Sequence, residues 1–427
     1  MGSITFRILG FLILSGVVLQ LGFQLIASWR RYTFGTAQRR RSLELLDARI
    51  RRAHLKRKTE QLLTEWSWQG CRKFEVHRKT MEGKSGICSF ELAPHDGKRL
   101  PPFQPGQYLT FELSIPGQKG KTVRCYSLSD CYREQDGRYR VTIKKALPPP
   151  GKDNVPPGLA SSYFHDQVQE GDLLDVKAPA GSFVLDTQSA TPVVLLAGGV
   201  GITPMLSMLN AIVDSGLRRE TWFFYGVRNG DEHIMRAHLD RIRFQCDHVH
   251  IHVCYSQPGA ADKLDRDYDH SGFVCVDLLK EWLPSNEYEF YICGPPPMMK
   301  MLTSDLKEWG VPEDRVRFEA FGPASVKSTK KTNTTDQAET GPASAKVAFA
   351  KSGKVARWTP DGGSLLELAE ANGVEISSGC RAGSCGTCKV AVREGKISYA
   401  NPPAADCEPG SCLACVALPQ GDVTLDA

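Results

Sequence analysis

The chain has 427 residues, which is too many for a single hydrophobic core and predicts two to four domains. Hydrophobic residues make up 41%, aromatic residues 9% and charged residues 24%, which excludes a disordered or fibrous chain. The net charge of +5 is unevenly spread, because residues 30–84 hold 16 Lys and Arg against 6 Asp and Glu and leave the remainder mildly acidic. Such a basic segment is typical of contact with nucleic acid or with an anionic membrane surface.

Residues 8–28 form an uncharged segment rich in Leu, Ile, Val, Phe and Gly. A helix of this length rises about 31 Å, which is enough to cross the hydrocarbon core of a bilayer. A secretory signal peptide is the alternative, but only Arg7 charges the region before it, and no small-x-small cleavage site precedes Trp29. Because Trp29 and the arginines after it suit a cytoplasmic headgroup region, we expect a single-pass transmembrane anchor over residues 1–30. The catalytic domains then face the cytoplasm, and the basic segment contacts membrane rather than nucleic acid.

Residues 36–68 lack Gly and Pro, and Leu43, Leu46 and Ile50 recur at helical spacing. This pattern predicts a basic helix over residues 31–70 that lies near the membrane. The alternative is a charged helix that is exposed to solvent and does not contact a membrane.

The pattern of residue types changes three times along the rest of the chain. Short β-rich runs between Gly and Pro turns predict an antiparallel β-barrel over residues 71–188. Apolar strands that alternate with helices predict a parallel-sheet α/β domain over residues 189–323. Residues 324–345 contain no aromatic side chain and predict a flexible linker with a typical span of roughly 25 Å. A compact domain resumes over residues 346–427, so the predicted fold is multidomain.

Residues 124–128, RCYSL, follow a strand and carry groups that suit a flavin. An Arg can pair with a diphosphate, a Tyr ring can lie against an isoalloxazine face, and a Ser hydroxyl can reach the flavin nitrogen that accepts hydride. Tyr108 offers a second ring, and Ser161 is expected to cap a helix whose free N–H groups hold the flavin diphosphate. Plain packing and a plain helix cap are the alternatives for each feature alone, but together they indicate an FAD site.

Two turns of the predicted α/β domain suit a dinucleotide. The sequence GGVGITP, residues 198–204, follows an apolar strand, where Gly residues permit a tight turn and close approach of the backbone to a pyrophosphate. The sequence CGPP begins at Cys293 after another strand and puts a thiol at the edge where open α/β sheets bind ligands. An inert buried thiol is the alternative for Cys293.

Near the C-terminus, cysteines with the spacing C-x₄-C-x₂-C are followed by a further cysteine some 27 positions on. This is the plant-type [2Fe–2S] pattern, in which a tight loop presents three thiolates and a distant strand supplies the last. Cys407 and Cys412 compete with Cys415 for the fourth position, and a C-x₂-C zinc site is the other alternative. Cys415 is favoured because it precedes Pro419 by four residues, which resembles the end of plant-type ferredoxins. The predicted metal ligands are therefore Cys380, Cys385, Cys388 and Cys415.

The motifs RCYS, GGVGITP and CGPP, in this order, resemble those of the ferredoxin–NADP reductase superfamily over about residues 74–323. Within it, the sequences PGQY, YSLSD and FEAFGP are similar to the reductase part of flavohaemoglobins. The chain departs from that pattern because it has no globin and ends in a cluster domain. The order of reductase and then cluster resembles reductase components of Rieske-type and other two-component oxygenases.

The resemblance implies a β-barrel FAD domain, a nicotinamide domain and a C-terminal β-grasp ferredoxin domain. It implies FAD contacts from Tyr108, Arg124, Tyr126, Ser127, Leu128 and Ser161. It implies dinucleotide contacts from Gly198, Gly199, Gly201, Thr203, Pro204, Cys293, Gly294 and Pro295. The residues expected to act in catalysis are Tyr126, Ser127, Cys293, Glu319 and Phe321. Of these, Glu319 and Phe321 lie at the other face of the flavin, and Phe321 leaves when nicotinamide stacks there.

The predicted function follows from the number of electrons that each carrier transfers at a time. NADH donates two electrons as hydride, a [2Fe–2S] cluster passes one at a time, and a flavin handles both steps. A plant-type cluster near about −400 mV can reduce an oxygenase, a desaturase or a haem protein. A membrane-associated NADH:quinone-type oxidoreductase and a redox-sensing scaffold are the alternatives. NADH is favoured over NADPH because Gln257 stands where NADP-selective relatives tend to carry an Arg, although Arg228 is a possible substitute.

Overall fold

The computed structural model describes residues 10, 16–26, 28–29, 57–118, 120–148, 156–321 and 344–427, except residues 380, 382, 384–385, 400–402 and 404–406. The chain divides into two compact units, residues 1–64 and 65–427. In the first unit, residues 16–26 and 28–29 are helical, as are residues 57–64. No helix within the described residues is both long and apolar enough to span a membrane. The predicted anchor over 8–28, the basic helix over 31–70 and the linker over 324–345 fall partly or wholly outside those residues, so the anchor has no support from the structure.

The second unit begins with an antiparallel sheet of six strands, in the order β4-β3-β6-β1-β2-β5. The strands are β1 Arg72–Met81, β2 Ile87–Pro94, β3 Tyr108–Leu113, β4 Thr122–Ser127, β5 Tyr139–Lys144 and β6 Leu173–Ala180. A bridge between Leu128, which follows β4, and Val141 on β5 brings the two edge strands together. The short helix α1, Leu159–Asp166, packs Phe164 into the core between Phe90 and Phe111.

A parallel sheet of six strands follows, in the order β10-β9-β8-β7-β11-β12. Its strands are β7 Val193–Gly198, β8 Thr221–Val227, β9 Val249–Tyr255, β10 His270–Ser271, β11 Glu289–Cys293 and β12 Val316–Glu319. Its helices are α2 Ile202–Asp214, α3 Arg236–Gln245, α4 Val276–Trp282 and α5 Pro296–Glu308. Every residue of β7 is buried, because helices cover both faces of the sheet. The strand order reverses between β7 and β11, and this is where such sheets bind ligands.

The C-terminal region contains a mixed sheet in the order β14-β13-β19-β15-β17 and a pair β16-β18. The elements are β13 Ala345–Phe349, β14 Lys354–Trp358, α6 Leu365–Ala371, β15 Lys389–Glu394, β16 Ile397–Tyr399, β17 Ser411–Leu413, β18 Ala417–Pro419 and β19 Val423–Leu425. Helix α6 starts in a capping box, because Ser364 and Glu367 each bond the backbone N–H of the other. The antiparallel sheet and the C-terminal sheets each have one buried core, and the parallel sheet has one on each face. These cores agree with the multidomain fold that the sequence predicts.

Candidate functional site

A cavity of about 540 Å³ lies where the antiparallel sheet, the parallel sheet and the C-terminal cysteine loop approach one another. Residues from the antiparallel sheet and the start of α1 form most of its wall, and Glu319 and Phe321 close it after β12. Of the predicted site residues, those that line it are Tyr108, Arg124, Tyr126, Ser127, Ser161, Thr203, Glu319 and Phe321. The other predicted flavin and dinucleotide residues do not line it: Leu128, Gly198, Gly199, Gly201, Pro204, Cys293, Gly294 and Pro295.

The β3–β4 strand pair positions the aromatic part of the cavity wall. Tyr108 lies opposite Ser127 in the strand register, and Tyr126 packs edge-on against Phe111 and Phe164. Burial raises the pKa of Tyr126 far above its ordinary value, so its phenol stays neutral. A Cβ on Gly181 would come within 2.9 Å of the Tyr108 ring, so a larger residue at position 181 would displace that ring.

Arg124 supplies a positive charge in the same wall. Its Nη1 donates a hydrogen bond of 2.7 Å to the carbonyl oxygen of Val123. Burial lowers the pKa of Arg124, and the nearby positive charge of Arg381 lowers it further. A partly buried guanidinium of this kind is a strong partner for a phosphate.

The start of α1 differs from the prediction that Ser161 caps it. Gly158 occupies the N-cap position, and Ser161 is the third residue of the helix. The Ser161 hydroxyl instead donates to the Gly158 carbonyl at 2.9 Å and accepts from the Ala146 N–H at 3.1 Å. A Cβ on Gly158 would lie 2.7 Å from Ala146 Cβ, so only Gly allows this loop to pack so closely. Gly158, Ser161 and Ala146 all line the cavity, so this packing forms one side of its wall.

The far wall joins the antiparallel sheet to the parallel sheet through polar groups. Ser127 Oγ donates to Glu319 Oε2 at 3.3 Å, and Glu319 lies beside Cys293 in the parallel register of β11 and β12. Burial raises the pKa of Glu319 to about 8. Cys293 is fully buried, and burial together with the charge of Glu319 raises the pKa of its thiol. Both groups are therefore mostly protonated at neutral pH.

The two predicted dinucleotide turns pack directly on each other. A Cβ on Gly201 would lie 2.2 Å from the carbonyl oxygen of Cys293, and one on Gly198 would lie 3.3 Å from Gly294 Cα. Gly199 has φ +54, which favours Gly. Thr203 fixes the turn by donating from Oγ1 to the Val200 carbonyl at 3.1 Å. Gly198 and Gly201 are buried between the two turns, and Gly199 and Val200 are partly exposed, at the point where the strand order reverses.

Sequence reasoning did not predict that the end of β5 or the C-terminal cysteine loop reaches the cavity. Lys144 of β5 lines it, as do Gly379 and Arg381 of the cysteine loop. Arg381 donates from Nη1 to Glu370 Oε2 at 3.0 Å. The available signal was an Arg among the small residues of the loop, although a local motif cannot indicate a contact with a distant sheet.

The candidate cluster site is described in part. The Sγ atoms of Cys388 and Cys415 lie 3.1 Å apart and are nearly buried, close enough for both to bind one iron. Cys380 and Cys385 lie outside the described residues. Within the described residues, no group of three or more His, Cys, Asp or Glu side chains could hold a metal ion. A Cβ on Gly383, which has φ +71, would lie 3.0 Å from Val416 Cγ2, so Gly383 packs closely against the residue after Cys415.

These features fit the cofactors that the sequence predicts. The cavity offers a guanidinium, aromatic walls and a tightly packed helix start, which suit a flavin with its phosphate groups. The paired thiols suit a thiolate-bound iron cluster.

Comparisons with known proteins decide the family. Family models match in chain order: an oxidoreductase FAD-binding domain over residues 75–185, an oxidoreductase NAD-binding domain over 195–304 and a 2Fe-2S iron-sulfur cluster binding domain over 351–420. The chain belongs to the ferredoxin–NADP reductase superfamily, with a C-terminal 2Fe–2S ferredoxin domain. It is thus an oxidoreductase with domains for FAD, NAD and an iron-sulfur cluster.

Individual relatives agree with this family. A phthalate dioxygenase reductase, described as a modular structure for electron transfer from pyridine nucleotides to [2Fe-2S], is 26% identical, with a TM-score of 0.51; the match covers 84% of this chain and 98% of that one. The flavohaem-like FAD/NAD-binding domain of a nitric oxide dioxygenase from Vibrio cholerae is 31% identical over 60% of this chain and 100% of that one, with a TM-score of 0.52. A flavohemoprotein of Halalkalibacterium halodurans is 41% identical over 259 residues, or 61% of this chain, and the match spans 62% of that protein.

Proposed function

We propose that this reductase takes electrons from NADH, passes them through FAD to the [2Fe–2S] cluster, and delivers them singly to a protein acceptor. One observation carries the proposal: the cavity has Val200 and Thr203 of the dinucleotide turn on one side and Gly379 and Arg381 of the cysteine loop on another. A flavin in this cavity would therefore touch both its electron source and its electron outlet.

The chain's own groups suit hydride transfer. Bound FAD would supply the chemistry, since it accepts two electrons as hydride and releases them one at a time. Ser127, at the end of β4, presents a hydroxyl held by Glu319 to the reacting region. Glu319 is mostly protonated below about pH 8, so it adds no negative charge near the hydride acceptor. Tyr126 and Phe321 would cover opposite faces and exclude water.

NADH fits the described residues better than NADPH does. Gln257 donates its backbone N–H to the Arg228 carbonyl at 2.8 Å and carries no charge. Arg228 lies 3.6 Å from Glu232, so a carboxylate already offsets its charge. An extra phosphate would therefore find no unopposed cation here among these residues.

The acceptor is proposed to be a redox protein such as an oxygenase, a desaturase or a haem protein. Support comes from the phthalate dioxygenase reductase, which is described as transferring electrons from pyridine nucleotides to [2Fe-2S] and which matches 84% of this chain. No observation on the described residues favours the quinone alternative. Membrane attachment through residues 8–28 stays a prediction from sequence, which fractionation and alkaline carbonate extraction of the full chain would test.

The test compares two electron acceptors with purified full-length protein. Wild type should reduce both ferricyanide and cytochrome c with NADH, because ferricyanide can accept electrons at the flavin. Cys388→Ala should keep ferricyanide reduction and lose most cytochrome c reduction, whereas Cys71→Ala, in an exposed position before β1, should keep both. Equal cytochrome c reduction by Cys388→Ala and wild type would contradict the proposed electron path.

A further inference from the structure

The cavity wall contains an excess of basic side chains contributed by separate parts of the fold. Arg124 and Lys144 come from the antiparallel sheet, and Arg381 comes from the cysteine loop. The acid in this wall, Glu319, is mostly protonated at neutral pH because burial raises its pKa to about 8. The wall therefore favours an anionic ligand.

Carboxylates offset only part of this charge. Lys144 lies 3.5 Å from Glu232, and Arg381 is paired with Glu370 on α6. In the part of the chain that the structure describes, Arg124 forms no ion pair, and its hydrogen bond goes to a carbonyl. The charge of Arg381 acts against that of Arg124 across the cavity, so an anion between them would relieve the repulsion.

The backbone of Arg381 supports a role for its side chain. Its φ of +56 lies in the left-handed region, which disfavours residues with a Cβ. The Glu370 pair holds the guanidinium so that only 21% of the side chain is exposed. The Arg381 side chain therefore lines the cavity and does not extend into solvent.

We propose that Arg381 is a flavin-binding residue supplied by the ferredoxin domain, and that it holds the phosphate of the flavin nucleotide together with Arg124. This inference rests on the proposed function, because it takes the cavity as the flavin site. It adds that the ferredoxin domain completes that site. Flavin binding and docking of the cysteine loop then favour each other by the same factor, as linkage requires.

The experiment measures the affinity of flavin-depleted full-length protein for FAD, FMN and riboflavin by quenching of flavin fluorescence. Arg381→Gln should raise the Kd of FAD and of FMN about ten- to hundredfold, since a charge-assisted contact to phosphate is lost. Riboflavin, which has no phosphate, should bind equally to wild type and variant. Arg381→Lys should restore most of the affinity. Arg393→Gln, an ion-paired arginine of the same domain that does not line the cavity, should change nothing.

Further variants distinguish failure of this inference from failure of the proposed flavin site. If Arg124→Gln weakens FAD binding and Arg381→Gln does not, the inference is wrong and the proposed flavin site stands. If neither does, the proposed flavin site itself is wrong. Equal weakening of riboflavin by Arg381→Gln would show that the side chain shapes the cavity and does not bind phosphate. Arg381→Gln should also keep its iron and acid-labile sulfide. If it loses them, and Cys388→Ala weakens FAD binding as much, loss of the cluster explains the effect and the inference is wrong.

Discussion

Ser127 and Glu319, which are 192 positions apart in the chain, are joined by a hydrogen bond of 3.3 Å. Ser127 ends a strand of the antiparallel sheet, and Glu319 ends a strand of the parallel sheet. The bond therefore connects the FAD-binding and NAD-binding domains at the point where their ligands would meet. Because the pKa of Glu319 is about 8, this contact depends on pH.

Replacing Glu319 by Gln should change how stability depends on pH. The folded pKa of about 8 lies above the ordinary 4.5, so Glu319 favours the folded state fully below about pH 4.5, and this contribution is lost as pH rises through 8. The wild type should therefore lose a few kcal/mol of unfolding free energy relative to Glu319→Gln between about pH 5 and 8.5. Urea unfolding across this range measures the difference. Glu308→Gln, on an exposed part of α5, is the control and should follow wild type. If the unfolding free energies of wild type and Glu319→Gln changed equally with pH, the prediction would be wrong.

Removing the ring of Phe321 should tighten nicotinamide binding. Phe321 is 38% exposed and lines the cavity, where we propose that it occupies the space that nicotinamide needs. In the wild type NAD⁺ must displace the Phe321 ring, which lowers its apparent affinity, so Phe321→Ala should lower the Kd of NAD⁺ about tenfold. Because NAD⁺ then leaves more slowly, product release should slow turnover. Titration of NAD⁺ and steady-state kinetics measure both effects. Phe318→Ala removes a ring that is 45% exposed and outside the cavity, and it should leave both unchanged.

Adding a methyl group at Gly201 should impair dinucleotide binding. The new Cβ would lie 2.2 Å from the Cys293 carbonyl oxygen, so the two turns must move apart. We expect the KM for NADH to rise at least about tenfold while FAD content stays normal, because the flavin wall does not include Gly201. Gly362→Ala is the control, since its Cβ meets no atom closer than 3.6 Å. An unchanged KM in Gly201→Ala would count against the dinucleotide site.

Local features could be predicted well because the residues that determine each of them lie in one short segment of the sequence. Continuous apolar runs indicated the buried strands of the parallel sheet, and Gly198 and Gly201 indicated the tight turn after β7. The hydroxyl of Ser161 was harder to place, because a Gly can take the N-cap position and leave a later Ser to bond the loop.

Contacts between distant segments could not be predicted in the same way. No pattern around Cys380 indicates that the neighbouring Arg381 reaches the flavin cavity, since that depends on how two separately folded sheets pack. The pKa of Glu319 likewise depends on burial by segments far apart in sequence. Charged residues in loops of small residues are therefore worth testing as contacts between domains.

The choice among the last three cysteines gives the sharpest test of the cluster site. Cys415 Sγ lies 3.1 Å from Cys388 Sγ, and the N–H of Ala414 donates to the Cys388 carbonyl at 3.0 Å, which fixes the two segments together. Cys412 lies on β17, in register with Val390, and Cys407 is only partly buried.

Cys415→Ala should therefore lose nearly all iron and acid-labile sulfide, because three thiolates cannot complete the coordination of both irons. Cys407→Ala should retain the cluster, and Cys412→Ala should retain it with some loss of stability from the cavity left by a fully buried side chain. Iron and sulfide analysis with electron paramagnetic resonance of the reduced protein measures each outcome. Retention of the cluster in Cys415→Ala, with loss in Cys412→Ala, would assign the fourth ligand to Cys412 and require β17 to turn its Cys412 side chain toward Cys388.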